Sequence, residues 1–351
     1  MLLYHLTTAA RLLRRDDEDD GGDENCVHVT PGPNGNVPPG ACNAYYNFDP
    51  QFAPAVAVAV IFGVLTGIHI FEAVVFKKRY TWILIMGALW ETLAFIMHSL
   101  GAKDQQNLGY AMGWQLLFLL APLWINAFVY MTFARMVLYW HPEGKVASLR
   151  AAVIARWFVI ADVLSFIVQG VGGIMASPDA GADVVRIGLN IYLAGLGVQE
   201  FFILVFLGFM VVFQRQCGRV RSFDGKPSWR PLQYGLYVVL VCITVRIIFR
   251  IIEFSGGFDI DNPIPLHEEY AYALDCFPMM LTLLILAVIH PGRYLLGPAS
   301  EFPRISRKEK KALKREKKAA RLEEKEAKKR AKEHRKTERS GSGSDDAGYQ
   351  V

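Results

Sequence analysis

The sequence predicts an all-α membrane protein built as a bundle of seven transmembrane helices. Of its 351 residues, 52% are hydrophobic, although 20% carry a charge. The charges concentrate in the first 25 residues, a few short loops and the last 50 residues. Between residues 52 and 290 lie seven apolar runs, each near the ~20 residues that a helix needs to cross the hydrocarbon core.

The loops between these runs predict the orientation in the membrane. We place the helices at about 52–76, 81–100, 112–139, 151–176, 184–213, 232–254 and 271–290. Ten Lys and Arg residues lie in the loops after the first, third and fifth helices. The opposite side carries Lys103, together with Arg186 at the start of the fifth helix. Because basic residues in short loops face the cytosol, the amino terminus is expected outside and the carboxyl terminus in the cytosol.

Three regions make up the expected domain organisation. Residues 1–50 form an extracellular segment whose acidic run and Pro- and Gly-rich stretch predict disorder, and residues 51–295 form the transmembrane domain. Residues 296–351 form a cytosolic tail. From Arg304 to Arg339 the tail carries 18 Lys and Arg and 7 Glu, which predicts a solvated helical segment followed by a disordered end. The basic tail either only fixes the orientation of the protein by the positive-inside rule or also contacts anionic lipids of the inner leaflet. Nucleic acid is not an expected partner.

The cysteines divide between the outside and the membrane in this topology. Cys26 and Cys42 would both be extracellular, and they are expected either to form a disulfide or to stay free. The remaining three, Cys217, Cys242 and Cys276, are expected to be packing residues. The first 20 residues lack the continuous apolar stretch of a signal peptide.

The sixth and seventh helices each carry a polar stripe inside an apolar run. Both stripes have i, i+4, i+7 spacing: Arg246, Arg250 and Glu253 on the sixth helix, and Glu268, Tyr272 and Asp275 on the seventh. A charge at a helix centre costs roughly 2.5–3.5 kcal/mol on insertion scales, so these charges need partners. Since the helices run antiparallel, the arginines are expected to face the two carboxylates at matching depth in the outer half of the membrane. The stripes are a structural clasp, one wall of a polar cavity open to the outer leaflet, or both, because a clasp can open.

Other helices add candidates for an internal path that a substrate would follow. These are Glu91 on the second helix, Asp162 and Gln169 on the fourth, and Gln199 on the fifth. His69 on the first helix is a further candidate. It is spaced i, i+3 from Glu72, and a hydrogen-bonded buried pair is favoured over a metal site. No metal, cofactor or catalytic residue is expected.

Seven short motifs occur in an order that resembles a known family. They are His69; Ala121-Pro122; Asp162, Ser165 and Gln169 with Gly172-Gly173; GLGVQ at 195–199; Arg246, Arg250 and Glu253; His267-Glu268 with Tyr272 and Asp275; and HPG at 290–292. The chain resembles the fungal RTA-like proteins, lipid-translocating exporters named for resistance to an aminocholesterol, over about residues 45–295. After the Glu of the second helix the family has Gly-Tyr and Arg, whereas this chain has ETLAFIMH, so that His98 replaces a permanent cation.

The resemblance implies translocation or export of amphiphilic lipids across the plasma membrane, contributing to lipid or drug resistance. Sphingoid long-chain bases and toxic sterol or drug amphiphiles are the implied substrates. A pump driven by ATP is not expected, because GxxxxGK[ST] is absent.

The sequence leaves two other classes of protein to compare with a transporter. A seven-helix receptor that senses lipid stress is the main alternative, although the third helix lacks Asp-Arg-Tyr and the seventh lacks Asn-Pro-x-x-Tyr. A zinc hydrolase is disfavoured because His69, His98 and His290 fall on three helices with no His-x-x-x-His spacing.

Overall fold

Seven long apolar helices dominate the part of the chain that the structure, a computed structural model, describes. The described residues are 28–38, 41, 43–175, 182–219, 225–256 and 264–302, with the isolated positions 315, 323 and 326. Seven helices among them are long and apolar enough to cross a membrane. The predicted seven-helix bundle is confirmed, and the chain is a multi-pass membrane protein.

The helices lie close to the predicted apolar runs. They are α1 (Phe52–Phe76), α2 (Trp82–Gly101), α3 (Leu108–Trp140), α4 (Ala151–Met175), α5 (Ala182–Gly218) and α6 (Arg230–Ser255). The seventh, α7, has three consecutive pieces: a helical turn Glu268–Ala271, a π-helical segment Tyr272–Cys276 and an α-helix Phe277–Val288. Between α3 and α4, strands β1 (Lys145–Val146) and β2 (Leu149–Arg150) form an antiparallel hairpin.

Local sequence explains where several helices begin and end. Asn107 caps α3, because its side-chain oxygen accepts hydrogen bonds from the backbone N–H groups of Gly109 and Tyr110. A proline in the first turn starts α6, where the missing N–H has no helical partner to lose. Lys77 ends α1 in the left-handed conformation with φ 53°.

Helix α3 lies between the other helices and supplies much of the core. It packs against α2 and α4 and also contacts α5 and α6. Its buried aromatic residues include Phe128, Tyr130 and Phe133. The opposite surfaces of α1 and α4 expose large apolar side chains, such as Phe71 and Trp157, which is the surface a helix presents to lipid.

The bundle has two ends, which we name by the chain segments that lie there. The amino-terminal face carries residues 43–51, the 102–107 loop and the start of α7. There the backbone N–H of Gln51 donates to Glu268 Oε2 at 3.0 Å, and Gln105 donates to Asp49 at 2.7 Å. The carboxyl-terminal face carries residues 77–81, the 145–150 hairpin and residues 290–301.

The chain before α1 packs on the amino-terminal face where it is described. Tyr46 and Phe48 are buried and contact the Trp114 ring, and Asn36 donates to Asp49 at 2.7 Å. Residues 1–27, which include the acidic run, lie outside the described residues, so the disorder that composition predicts for residues 1–50 stays a prediction. Cys26 and Cys42 lie outside the described residues, so their pairing stays a prediction, while Cys217, Cys242 and Cys276 are buried free thiols.

The contacts divide the chain into a unit Met1–Glu301 and a unit Phe302–Val351. Nearly all of the second unit lies outside the described residues, so the expected helical tail stays a prediction.

Candidate functional site

A cluster of buried charges joins α6 to α7. Asp275 is fully buried, and its two carboxylate oxygens each contact an arginine: Oδ1 contacts Arg246 Nη1 and Oδ2 contacts Arg250 Nη2. Arg250 Nη1 also donates to Glu253 Oε2 at 3.0 Å on the same helix. Two cations and two anions therefore balance within the apolar bundle, and we call these four residues the arginine cluster. The sequence predicted that the arginines face Asp275, and the structure places them there.

Helix α3 provides a further acceptor for this cluster. Arg246 Nη2 donates to the carbonyl oxygen of Phe118 at 3.2 Å. In a regular helix that carbonyl accepts from the N–H of residue 122, but residue 122 is a proline and has no N–H. The proline thus leaves a buried carbonyl without its helical donor, and the arginine satisfies it. The guanidinium of Arg246 also lies 4.8 Å from the centre of the Phe118 ring, within cation–π range.

Glu268 lies apart from the arginine cluster, contrary to the expectation that it also faces the arginines. Its Oε1 shares a hydrogen bond with His98 Nε2 at 2.6 Å and accepts one from the Tyr272 hydroxyl at 2.9 Å. Its other oxygen accepts the N–H of Gln51. The chain departs from the family pattern at His98, and the structure gives this residue a carboxylate partner 170 positions away.

The π-helical segment explains why Glu268 and Asp275 diverge. Spacing of i, i+7 puts two residues on one face only when every turn is α-helical. The segment Tyr272–Cys276 begins after Glu268 and includes Asp275, and it follows i→i+5 bonding, which inserts an additional residue into the turn. The register therefore rotates by about 100° per inserted residue, so that Asp275 points to α6 while Glu268 points to α2.

Aromatic rings surround the pair of His98 and Glu268. The His98 ring stacks on Trp114 with centroids 4.0 Å apart. The other rings around the pair are Tyr46, Phe48, Phe95, Phe118 and Tyr272. We call this enclosure the aromatic box. Its remaining space is about 10 Å³, because the imidazole fills it. Phe118 lines the box and also lies under both arginines, so the box and the arginine cluster are adjacent.

On its other side the arginine cluster faces a small polar cavity. The cavity measures about 30 Å³, and Gln169, Gln199, Arg246 and Arg250 line it. Gln169 donates its side-chain N–H to Gln199 at 2.9 Å, which ties α4 to α5 at this depth. The structure thus brings both predicted glutamines to the arginines. This volume holds about one or two water molecules, far less than a lipid head group, so the arrangement is closed.

The remaining predicted site residues occupy separate environments. Asp162 belongs to a network between α3 and α4, where it accepts from Asn126 at 3.0 Å and Tyr130 at 2.9 Å. Glu91 is fully buried, and neither carboxyl oxygen has a hydrogen-bond partner among the described residues, but Arg246, Arg250 and Asp275 of the arginine cluster are its charged neighbours. His69 lies 3.5 Å from Glu72 in α1 and is not brought to the arginine cluster. Within the described part of the chain, no group of three His, Cys, Asp or Glu side chains is arranged to hold a metal ion.

Comparison with known proteins identifies the family. Residues 84–297 match the family described as RTA1 like protein. The chain belongs to this family. The matched range contains the arginine cluster and most of the aromatic box, whereas Tyr46, Phe48 and the first helix precede it.

Two of three fungal relatives compared with this chain carry names that refer to lipids. The chain is 44% identical over 295 residues to the "Probable lipid transporter atnI" of Emericella nidulans, across 81% of this chain and 77% of that protein. It is 31% identical over 211 residues to "Protein RTA1" of Saccharomyces cerevisiae, across 59% of this chain and 64% of that protein. It is 20% identical over 295 residues to the "Sphingoid long-chain base transporter RSB1" of the same species, across 74% of this chain and 76% of that protein. No solved structure matches the chain.

Proposed function

We propose that this protein translocates amphiphilic lipids across the plasma membrane and contributes in this way to lipid or drug resistance. Sphingoid long-chain bases and toxic sterol or drug amphiphiles are the proposed substrates, and no catalytic step is involved. The observation that carries the proposal is the arginine cluster, which lies next to the aromatic box inside a bundle with an apolar exterior. The names of the relatives, among them a probable lipid transporter and a sphingoid long-chain base transporter, support the same substrate class.

The proposed site offers one partner for each sign of charge. An ammonium head group can replace His98 beside Glu268, because aromatic faces and a carboxylate together attract cations. A phosphate can pair with Arg246 and Arg250, whose forks suit its geometry. Lipid tails would remain in the bilayer beside the exposed apolar surfaces of the helices.

The ion pairs also provide a reason for substrate selection. Leaving one charge of a buried pair unpaired costs about 3–5 kcal/mol, so opening the cluster without a replacement charge is unfavourable. A head group that carries a charge can take the vacated place, whereas an uncharged one cannot. The proposed transporter therefore prefers charged amphiphiles over neutral lipids with the same tails.

The proposed topology places the amino-terminal face outside and the tail in the cytosol. The basic tail would then contact anionic lipids of the inner leaflet. With the aromatic box at the amino-terminal face, substrate would exchange with the outer half of the bilayer.

Efflux of a labelled long-chain base tests the proposal. Cells lacking the protein would be compared with cells that carry the wild type, Glu268→Gln or the control Glu269→Gln at equal surface level. Residue 269 is the adjacent carboxylate and is exposed, so its variant should export like wild type. We expect Glu268→Gln to lose about tenfold or more of the efflux, because a charge-assisted contact is worth about 1.5–3 kcal/mol.

The same assay separates transport from the alternative of a lipid-stress sensor. The aromatic box and the polar cavity are too small to hold a ligand without rearranging. A conformational change on ligand binding is what a sensor requires, and this observation favours the sensor. Binding of the labelled base with no efflux above that of cells lacking the protein would replace the transport proposal by the sensor. Equal efflux by the two variants would exclude Glu268 from the substrate path.

A further inference from the structure

A second pocket lies at the carboxyl-terminal face, and none of its lining residues belongs to the arginine cluster or the aromatic box. It has a volume of about 480 Å³ and opens to the surface between the end of α1 and residues 292–301. Its lining includes the apolar side chains of Val75 and Leu296 and the basic side chains of Lys77 and Lys78. We call it the Lys78 pocket.

Lys78 is a buried cation with few acceptors. It is 9% exposed, and its ammonium donates to Ser300 Oγ at 2.9 Å. An ammonium group has three N–H donors, and among the described residues this is the one hydrogen bond that Nζ of Lys78 makes. No carboxylate of the described part of the chain lies within ion-pair distance of it. Burial lowers the pKa of Lys78, and the more distant Glu301 carboxylate opposes that change.

The charge around the pocket is positive on balance. Lys77 is exposed at the pocket mouth, and Arg135 of α3 is a further positively charged neighbour of Lys78. Glu301 is the one acidic residue of the lining. Two lysines in the lining against one glutamate make an anion the fitting ligand, and the unused donors of Lys78 would bind it.

We propose that the Lys78 pocket binds the phosphate of an anionic phospholipid. Lys78 is the buried anchor, Lys77 contacts the phosphate from the mouth, and the acyl chains lie along Val75 and Leu296. Both of these apolar side chains are about half exposed, at 51% and 49%, near the end of α1. These apolar lining residues can contact the acyl chains of a lipid, whereas free phosphate has no group for them to contact, so they favour a lipid as the ligand. Basic pockets at the ends of transmembrane helices suit anionic head groups in general.

The proposal concerns a resident lipid, so it does not depend on the transport proposal or on the basic tail. Binding can be measured on the purified full-length protein in nanodiscs. The probe is fluorescent dioleoyl phosphatidic acid in a background of dioleoyl phosphatidylcholine. Inorganic phosphate and glycerol 3-phosphate serve as soluble competitors.

Three variants have distinct expected effects. Lys78→Gln should bind the probe about tenfold more weakly or worse, because it removes a charge-assisted contact. Lys77→Gln, an exposed position where folding is not at risk, should lose about fivefold. Glu301→Gln should bind more tightly, since it removes the competing carboxylate. If these residues had only a structural role, the lysine variants would not weaken binding of the probe while the Glu301 variant strengthened it.

Two controls complete the experiment. Lys145→Gln removes an exposed lysine of the same face that lies 3.5 Å from Glu143, and it should leave binding unchanged. Ser300→Ala removes the hydrogen bond of Lys78 but keeps its charge, and it should bind the probe at least as tightly as wild type. If Lys78→Gln does not fold, Lys77→Gln and Glu301→Gln still decide the question.

Three results would overturn the proposal. One is unchanged binding in both lysine variants. Another is weaker binding in Glu301→Gln, which would indicate a cationic ligand. The third is full displacement of the lipid by inorganic phosphate at equal concentration, which would make the site one for free phosphate.

Discussion

At the scale of single residues, the fully buried carboxylate of Asp275 contacts two guanidinium groups. Arg250 has a second anion in Glu253, whereas Arg246 has the Phe118 carbonyl. The two arginines therefore depend on Asp275 to different degrees. Loss of Asp275 would remove the one carboxylate that Arg246 contacts among the described residues.

Asp275→Asn should destabilise the protein strongly. Removing one partner of a buried ion pair costs about 3–5 kcal/mol, because the other charge remains in a medium that solvates it poorly. The melting temperature of the detergent-solubilised protein measures this loss. Glu269→Gln is the matched control, since it neutralises an exposed carboxylate of the same helix and should stay within about 0.5 kcal/mol of wild type.

A double substitution shows whether the unpaired charge is the cause. Asp275→Asn combined with Arg246→Gln removes one anion and one cation and keeps the pair of Arg250 and Glu253. Stability should recover in part relative to Asp275→Asn alone. Additive losses in the double variant would mean that packing around Asp275, and not its charge, stabilises the helices.

At the scale of elements, α4 and α5 approach each other closely at glycines. A Cβ atom on Gly172 would lie 2.4 Å from the backbone nitrogen of Tyr192 and 2.6 Å from the carbonyl oxygen of Gly188. A Cβ on Gly195 would lie 2.7 Å from the Gln169 side chain. Small residues of this kind let membrane helices pack backbone to backbone. The hydrogen bond between Gln169 and Gln199 depends on this approach.

Gly172→Ala should separate α4 from α5. The clash is with backbone atoms, which cannot rotate away, so we expect a loss of about 1–3 kcal/mol and a weaker contact of Gln169 with Gln199. Thermal unfolding in detergent gives the stability. Gly170→Ala is the control two residues earlier, where a Cβ meets nothing within 4 Å, and it should be neutral or slightly stabilising. Equal behaviour of the two alanine variants would contradict the close approach.

Apolar run length was enough to predict the helices, because a membrane-spanning helix satisfies its backbone internally and needs only an apolar surface of sufficient length. The first helix was expected at 52–76 and is Phe52–Phe76. Spacing was also enough to pair the arginines with Asp275. It failed for Glu268, because the π-helical segment shifts the register and nothing in the residue types between Tyr272 and Cys276 marks it.

Contacts between residues far apart in the sequence could not be predicted, for a different reason. The hydrogen bond between His98 and Glu268 joins α2 to α7, and periodicity within one helix carries no information on which helices are neighbours. The packing of Tyr46 and Phe48 on Trp114 was missed because the surrounding segment is rich in Pro, Gly and Asn. Two aromatic residues just before the first apolar run were the signal present in the sequence.

At the scale of the whole molecule, orientation in the membrane links the two proposed lipid sites to the two leaflets. The described loops keep the basic asymmetry of the sequence, with Lys77, Lys78 and Lys145 at the carboxyl-terminal face and Lys103 at the amino-terminal face. If these basic loops face the cytosol, as the sequence predicts, the aromatic box would lie in the outer half of the bundle and the Lys78 pocket at the inner leaflet. The inner leaflet is also where anionic lipids give the membrane surface its negative potential.

Cysteine labelling on intact cells tests that orientation. In a background with Cys26→Ser and Cys42→Ser, the three remaining native cysteines are buried and should not react. Lys103→Cys should then react with a membrane-impermeant maleimide on intact cells, whereas Lys145→Cys should react only after permeabilisation. The opposite pattern would put the Lys78 pocket in the outer leaflet, where a phosphatidic acid ligand is scarce, and the aromatic box toward the cytosol. Because both lipid sites keep their chemistry whichever way the bundle is inserted, this result decides the leaflet from which each site takes its ligand.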